Sequence, residues 1–206
     1  MSSVKHMHPV GPQVALRLVE PVNSPAERLA RFRTAGAELR GARDFLLPLE
    51  QLEGHGPETW WLEGDVTPRT AAEDVQAVAA GGLLFCEAHD RDASDPRASA
   101  HRLYERLLSF VAANGYPYVV KGWNYLEDIN EGPGDQGRYK QFCVGRGEVL
   151  DKAWTHDYLP AGTGVGSGSG TGLRVTLLAS REKPDIIENP RQLSAYRYPR
   201  QYGPKS

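Results

Sequence analysis

The chain has 206 residues, with 24 lysines and arginines against 26 aspartates and glutamates, a formal net charge of −2. At 40% hydrophobic and 24% charged residues it has the composition of an ordinary globular protein, long enough for one domain or one domain with appendages. That balance leaves no footprint for nucleic acid or an anionic membrane surface, and no apolar run approaches the ~18 residues that span a bilayer.

The first residues, MSSVKHMHPVGPQ, lack the apolar core of a secretory signal. His6 and His8 are the nearest thing to a metal motif there, but two histidines in a frayed tail are more often incidental. Residues 13–19 alternate and read as a strand. Ser24 and Pro25 then look like an N-cap and a first helical position, which predicts an amphipathic helix over 26–40. DFLLPLEQLEGHGPE reads as irregular, and TWWLEGDV (59–66) as a strand.

Residues 74–88 predict a hairpin turning at Gly81-Gly82, a dipeptide that tolerates positive φ. The clearest helix runs from Asp95-Pro96 to Asn114-Gly115, with Ala100, Leu103, Tyr104, Leu107 and Val111 on one face. YPYVVKGWNYL follows as a strand. The loop EGPGDQG leads into a second helix with Tyr139, Phe142, Cys143, Val149, Leu150 and Trp154 at its apolar positions. LPAGTGVG reads as a short edge strand, GSGSGTG as a hairpin tip, and LRVTLLAS as a strand. After residue 74 the order is therefore strand, strand, helix, strand, helix, strand, strand. That order suits an α+β fold, a mixed sheet with two long helices packed on one face. The expected organisation is a disordered tail over 1–12, a domain over 13–182 and an extended tail over 183–206. In that last tail Pro184, Pro190, Pro199 and Pro204 rule out a helix or sheet interior.

Cys86 and Cys143, the only cysteines, lie in apolar runs and read as buried thiols of a reduced compartment, so the cytoplasm is the expected location. There is no P-loop, no GxGxxG after a strand, no HExxH, CxxC or GxSxG, and neither cofactor nor metal is expected. Three polar-aromatic clusters remain. They are Lys121 to Tyr125, with Trp123 and Asn124; Arg138, Tyr139, Lys140 and Gln141 with Arg146; and Glu188 to Gln192, with Arg191, followed by Tyr196 and Tyr198. An arginine fork matches a carboxylate, an aromatic packs against a ring and an amide fixes orientation, so the set suits a small carboxylated ring. The same residue types also serve as solvated arginines on a helix face and aromatics in a core, and both readings stand.

At KGWNYLEDIN (121–130), GRYKQFCVGRGEVL (137–150), LPAGTGVGS (159–167) and ENPRQLSAYRYPRQYGPKS (188–206) the chain resembles the chorismatases, members of the Rid or YjgF-like superfamily. These are longer chains of two Rid-like halves, and the matched stretch resembles the first half and its link to the second. The resemblance implies a Rid/YjgF-like (chorismate mutase-like) fold, a trimer with pockets between subunits, and a chorismate-derived or similar anionic aromatic or cyclohexadiene ligand. Arg138, Tyr139, Gln141, Arg146, Arg191, Trp123, Asn124 and Tyr196 are the candidate binding residues. Glu188 is the candidate acid or base for lyase, hydrolase or cyclase chemistry, or else a surface carboxylate paired with Arg191 or Arg181. Where Rid imine deaminases carry a PAR[ST] arginine, this chain reads Pro160-Ala161-Gly162-Thr163, so imine hydrolysis is not expected. The competing expectation is a non-catalytic binding subunit that partners a separate catalytic half.

Overall fold

The computed structural model describes residues 14–17, 26–33, 44–50, 52, 58–63, 67–70, 74–153 and 159–185, with positions 187, 189, 191, 193, 198 and 199 beyond them. Among the residues named above, His6, His8, Ser24, Pro25, Trp154, Glu188, Pro190, Gln192, Tyr196 and Pro204 lie outside the described residues.

Two sheets form. The smaller joins β1 (Val14–Arg17), β2 (Ala26–Arg33), β3 (Asp44–Leu46) and β4 (Glu58–Glu63) in the order β1-β4-β2-β3. The larger contains β5 (Thr67–Thr70), β6 (Val75–Ala80), β7 (Leu83–Asp90), β8 (Tyr118–Glu127), β9 (Ala161–Ser167) and β10 (Leu173–Ser180), ordered β5-β6-β7-β10-β8-β9. All neighbours in it are antiparallel except β8 and β9, which run parallel. The mixed sheet expected from the order of elements is thus present, with β9 at its edge.

The described part of the helix expected over 26–40, residues 26–33, is instead β2, antiparallel to β4 and parallel to β3. AERLARFR fits either period. Its pairing with β4 carries a bulge between Arg28 and Ala30. Strand partners on both sides supply tertiary hydrogen bonds that override a weak helical preference. Ala30 is fully buried, packed with Phe45, Val78, Phe85 and Leu178 against one face of the large sheet.

The opposite face carries both helices. Val75, Ala77, Leu84, Cys86, Val119, Leu126, Val175 and Leu177 alternate inward from the strands and meet α1 (Pro96–Ala113) and α2 (Arg138–Ala153) in the main core. In α1, Asp95 caps the N-terminus by accepting from Ala98 N at 3.0 Å, and Gly115 beyond the end takes φ 77°. The expected face of Ala100, Leu103, Tyr104, Leu107 and Val111 is the buried one. Gly145 sets the approach of α2 to α1, since a Cβ there would lie 2.0 Å from the Arg97 carbonyl oxygen. Of the apolar positions expected in α2, Phe142, Cys143 and Val149 are buried, whereas Tyr139 is 44% exposed. Both cysteines are free and buried, and no described helix is long and apolar enough to cross a membrane.

The hairpin at Gly81-Gly82 forms, with φ of 54° and 83°. The second expected hairpin does not. β10 inserts between β7 and β8, so the glycine-rich connection from β9 must cross the end of β8. A local pattern of strand, glycines, strand cannot distinguish a hairpin from such a crossing. Glu127 holds the crossing in place: its Oε2 accepts from the backbone N–H groups of Gly170 and Gly172, both at 2.9 Å. Its Oε1 accepts from Arg138 at 3.1 Å.

Candidate functional site

Period-two alternation decides what Trp123 and Asn124 can do, because adjacent strand residues point to opposite faces. Asn124 faces the helices and is 1% exposed. It accepts the Tyr104 hydroxyl proton at 2.7 Å and donates its amide to the Thr163 carbonyl at 3.0 Å, linking α1, β8 and β9. Trp123 faces the other way, stacked on Phe85 at 6.1 Å with Lys121 Nζ 4.9 Å from its ring centroid.

Beside Asn124, α2 lies over an edge strand with glycine at each helix-facing position, Gly162, Gly164 and Gly166. A Cβ at 162 would sit 3.7 Å from Arg146 Nη1, and one at 164 would sit 3.0 Å from Tyr139 Cε2. Gly162 and Gly164 are nonetheless solvent-exposed. Tyr139 and Arg146 thus lie directly over a bare glycine backbone at the seam of α2 and β9, the candidate cleft, with Tyr104 and Asn124 further in.

The Arg146 guanidinium is 5.3 Å from the Phe142 ring centroid, and Phe142 in turn meets Tyr104 edge-on and Tyr139 in a stack. Burial works against the Arg146 charge, but Tyr104, Cys143 and Tyr139 around it outweigh that and hold its pKa above the ordinary value. Burial pushes up the hydroxyls of Tyr104 and Tyr139 and the Cys143 thiol, so these groups stay neutral donors. Among the described residues no carboxylate pairs with Arg146. A fixed, largely buried cation among neutral groups can take a carboxylate with little rearrangement.

The other candidates are placed apart from this cleft. Arg138 is engaged inside the protein, donating to the Glu127 carbonyl, the Ala93 carbonyl and the Glu127 carboxylate at 3.0, 3.0 and 3.1 Å. Gln141 donates to the Asp135 carbonyl at 2.8 Å, which ties the preceding loop to α2. Arg191 is exposed in the tail, its backbone N–H donating to Asn189 Oδ1 at 3.0 Å. Asn124, Tyr139 and Arg146 are therefore the predicted residues that come together.

Sequence reasoning missed Tyr104 and Cys143, which look like ordinary core residues on helix faces. It also missed a polar network on the other face of the sheet. There the buried Glu87 carboxylate accepts from Arg174 and, at 2.8 Å, from Thr176. Burial pushes its pKa up against the pull of Arg174 and Thr176. Arg174 also donates to His89 Nδ1 at 3.0 Å, and His89 Nε2 donates to the Thr171 carbonyl at 2.8 Å, which fixes a neutral tautomer. The available signal was a glutamate within the apolar strand LLFCEA and an arginine within LRVTLL. The described residues hold no group of three or more histidine, cysteine, aspartate or glutamate side chains arranged for a metal.

The mixed sheet with its two helices on one face is the α+β architecture expected from the order of elements. A solved chorismatase superimposes with a TM-score of 0.74 at 24% identity, over 94% of this chain and 61% of that one. The chain belongs to the family described as Chorismatase FkbO/Hyg5-like, N-terminal, which it matches over residues 58–179. It is 34% identical over 129 residues to a 3-hydroxybenzoate synthase of Streptomyces hygroscopicus, covering 61% of this chain and 38% of that protein. It is 32% identical over 154 residues to a chorismatase of Streptomyces rapamycinicus, covering 72% and 45%. The chain thus spans less than half the length of these curated relatives.

Proposed function

We propose that this chorismatase-like chain binds a small anionic ring compound, chorismate-derived or similar, in the cleft between α2 and β9, with Arg146 holding a ring carboxylate. One observation carries the reading: Arg146 is a largely buried guanidinium with no carboxylate partner among the described residues. The neutral Tyr139 hydroxyl lies beside it, and the Tyr139 ring at the mouth offers a stacking surface. Membership of the chorismatase family supports that ligand class.

On this reading the carboxylate anchors the ring and an acid or base acts on it from outside the cleft, in lyase, hydrolase or cyclase chemistry. Glu188 remains the candidate for that role. A second reading, a binding subunit without catalysis, is favoured by the makeup of the cleft, where Arg146, Tyr104, Tyr139, Asn124 and Cys143 include no carboxylate.

Thermal-shift titration against chorismate, prephenate, 3- and 4-hydroxybenzoate and shikimate, followed by chromatography of each stabilising mixture, tests both. A ligand at ~100 times its Kd adds about 2.7 kcal/mol to apparent stability, which a melting scan registers. Stabilisation with a new product peak supports the enzyme, and stabilisation without one supports the binding subunit. No stabilisation by any of the five removes this ligand class.

A further inference from the structure

An arginine that grips a carboxylate through its fork must be held at one angle, and the group that holds it decides how much charge is left over. The Arg146 guanidinium lies 5.3 Å from the Phe142 ring centroid, and its Nη1 is 3.7 Å from where a Cβ on Gly162 would stand. It donates to the hydroxyl oxygen of Tyr104 on α1. Tyr104 is 4% exposed, and its ring meets Phe142 edge-on at 6.4 Å.

The direction of the remaining hydrogen bonds follows from their far end. The Thr163 carbonyl in β9 can only accept, so the side-chain nitrogen of Asn124 must face it, at 3.0 Å. That turns Asn124 Oδ1 toward Tyr104 and commits the one phenolic proton to Asn124, at 2.7 Å. The Tyr104 oxygen therefore presents a lone pair to Arg146 and has no proton left for a ligand. A single path of donors runs from Arg146 through Tyr104 and Asn124 to Thr163, joining α2, α1, β8 and β9.

A carboxylate partner would fix a guanidinium but cancel the charge that a second anion meets, whereas a neutral oxygen occupies one N–H and leaves the charge intact. Arg138 is the first case, with the Glu127 carboxylate at 3.1 Å. Arg146 is the second.

We propose that Tyr104 is a positioning residue: its neutral oxygen, held by Asn124 and the Thr163 carbonyl, sets the angle of the Arg146 guanidinium and leaves its charge for a ligand carboxylate. This rests on the anionic-ring reading above and adds that Tyr104 acts through Arg146 without touching the ligand.

Tyr104→Phe deletes the oxygen and keeps the ring that packs on Phe142. Isothermal titration of parent and variant with 3-hydroxybenzoate and with its uncharged amide, 3-hydroxybenzamide, separates positioning from general damage. Affinity for the acid should fall roughly three- to tenfold, the size of one neutral hydrogen bond, while affinity for the amide changes by less than about twofold. Equal losses for acid and amide, or no loss for either, would overturn the proposal. The second measurement needs no ligand. In protein labelled with 15N-arginine, the Arg146 Nε–H signal, assigned by its disappearance in Arg146→Gln, should be rigid in the parent and mobile on the ps–ns timescale in Tyr104→Phe. Unchanged mobility would also overturn the proposal, and the backbone amide spectrum of the same sample checks the fold. A parent that binds neither compound, or does not distinguish them, removes the anionic-ring reading instead, and the mobility comparison then decides by itself whether Tyr104 positions Arg146.

Discussion

Tyr104 and Asn124 share a 2.7 Å hydrogen bond that joins the central helix to the sheet beneath the cleft, and both residues are almost completely buried. The Asn124 amide has a second partner in the Thr163 carbonyl, so removing the asparagine orphans two polar groups while removing the tyrosine hydroxyl orphans one. Tyr104→Phe is expected to cost about 1 kcal/mol and Asn124→Ala about 2–3 kcal/mol, because a buried group left unsatisfied carries its full desolvation penalty. Urea unfolding of the two single variants and the double gives the coupling, which should be of order 1 kcal/mol. Additive effects would mean the two side chains do not act together.

Arg146 is the residue on which ligand binding should turn. Replacing it with glutamine removes the charge and the fork but keeps a donor of similar reach. Loss of a charge-assisted hydrogen bond worth about 1.5–3 kcal/mol corresponds to roughly a 10- to 150-fold loss of affinity for a carboxylated ligand. Isothermal titration with whichever compound stabilises the parent measures it. Arg138→Gln is the comparison: its guanidinium is engaged with Glu127 and Ala93, so it should lower stability and leave affinity within a few-fold.

Much of the fold was legible because local and tertiary signals agreed. Asp95 before Pro96 and Gly115 after Asn114 are chemical stops, and the apolar period between them is that of a helix with one buried face. The first third was misread for the opposite reason. AERLARFR satisfies two periods, and what makes it a strand is pairing with β3 and β4, which lie far from it in sequence. The same limit applies to the glycine-rich crossing, since only the insertion of β10 between β7 and β8 shows that β9 and β10 are not a hairpin. At the candidate site, the arginine, tyrosine and asparagine were readable as residue types. Their grouping was not, because it depends on alternation separating Trp123 from Asn124 and on Arg138 being occupied by Glu127.

Glu127 holds the crossing by two backbone amides, and its removal should be felt there first. Glu127→Ala leaves the N–H groups of Gly170 and Gly172 without that acceptor and frees Arg138 from its carboxylate. Hydrogen–deuterium exchange of peptides covering 167–173 should accelerate by about 10- to 100-fold, matching the loss of one or two hydrogen bonds from local opening, while α1 peptides stay protected. Unchanged exchange in that segment would show that the strands on either side hold the crossing without the carboxylate.

Above the ordinary carboxylate range the pH dependence of stability should carry a contribution from His89, opposed by Glu87, whose raised pKa acts in the other direction. Burial holds the His89 pKa below the ordinary value of ~6.5, and the contact from Arg174 to Nδ1 disfavours a second ring proton. At this group the folded state therefore binds fewer protons than the unfolded chain, and its contribution to stability rises with pH wherever that inequality holds. Stability from this group is fully present above ~6.5, falls as the pH drops below that value while the unfolded imidazole takes up its proton, and is lost once the pH passes below the folded-state value. Asp90 and Asp92, with pKa values lowered in the fold, act in the same direction but in a more acidic window. Urea unfolding from pH 7.5 to pH 5 should show the parent losing stability relative to His89→Gln, which keeps a donor that can reach the Thr171 carbonyl and cannot titrate. Parallel curves for the two proteins would move the pH dependence to another group.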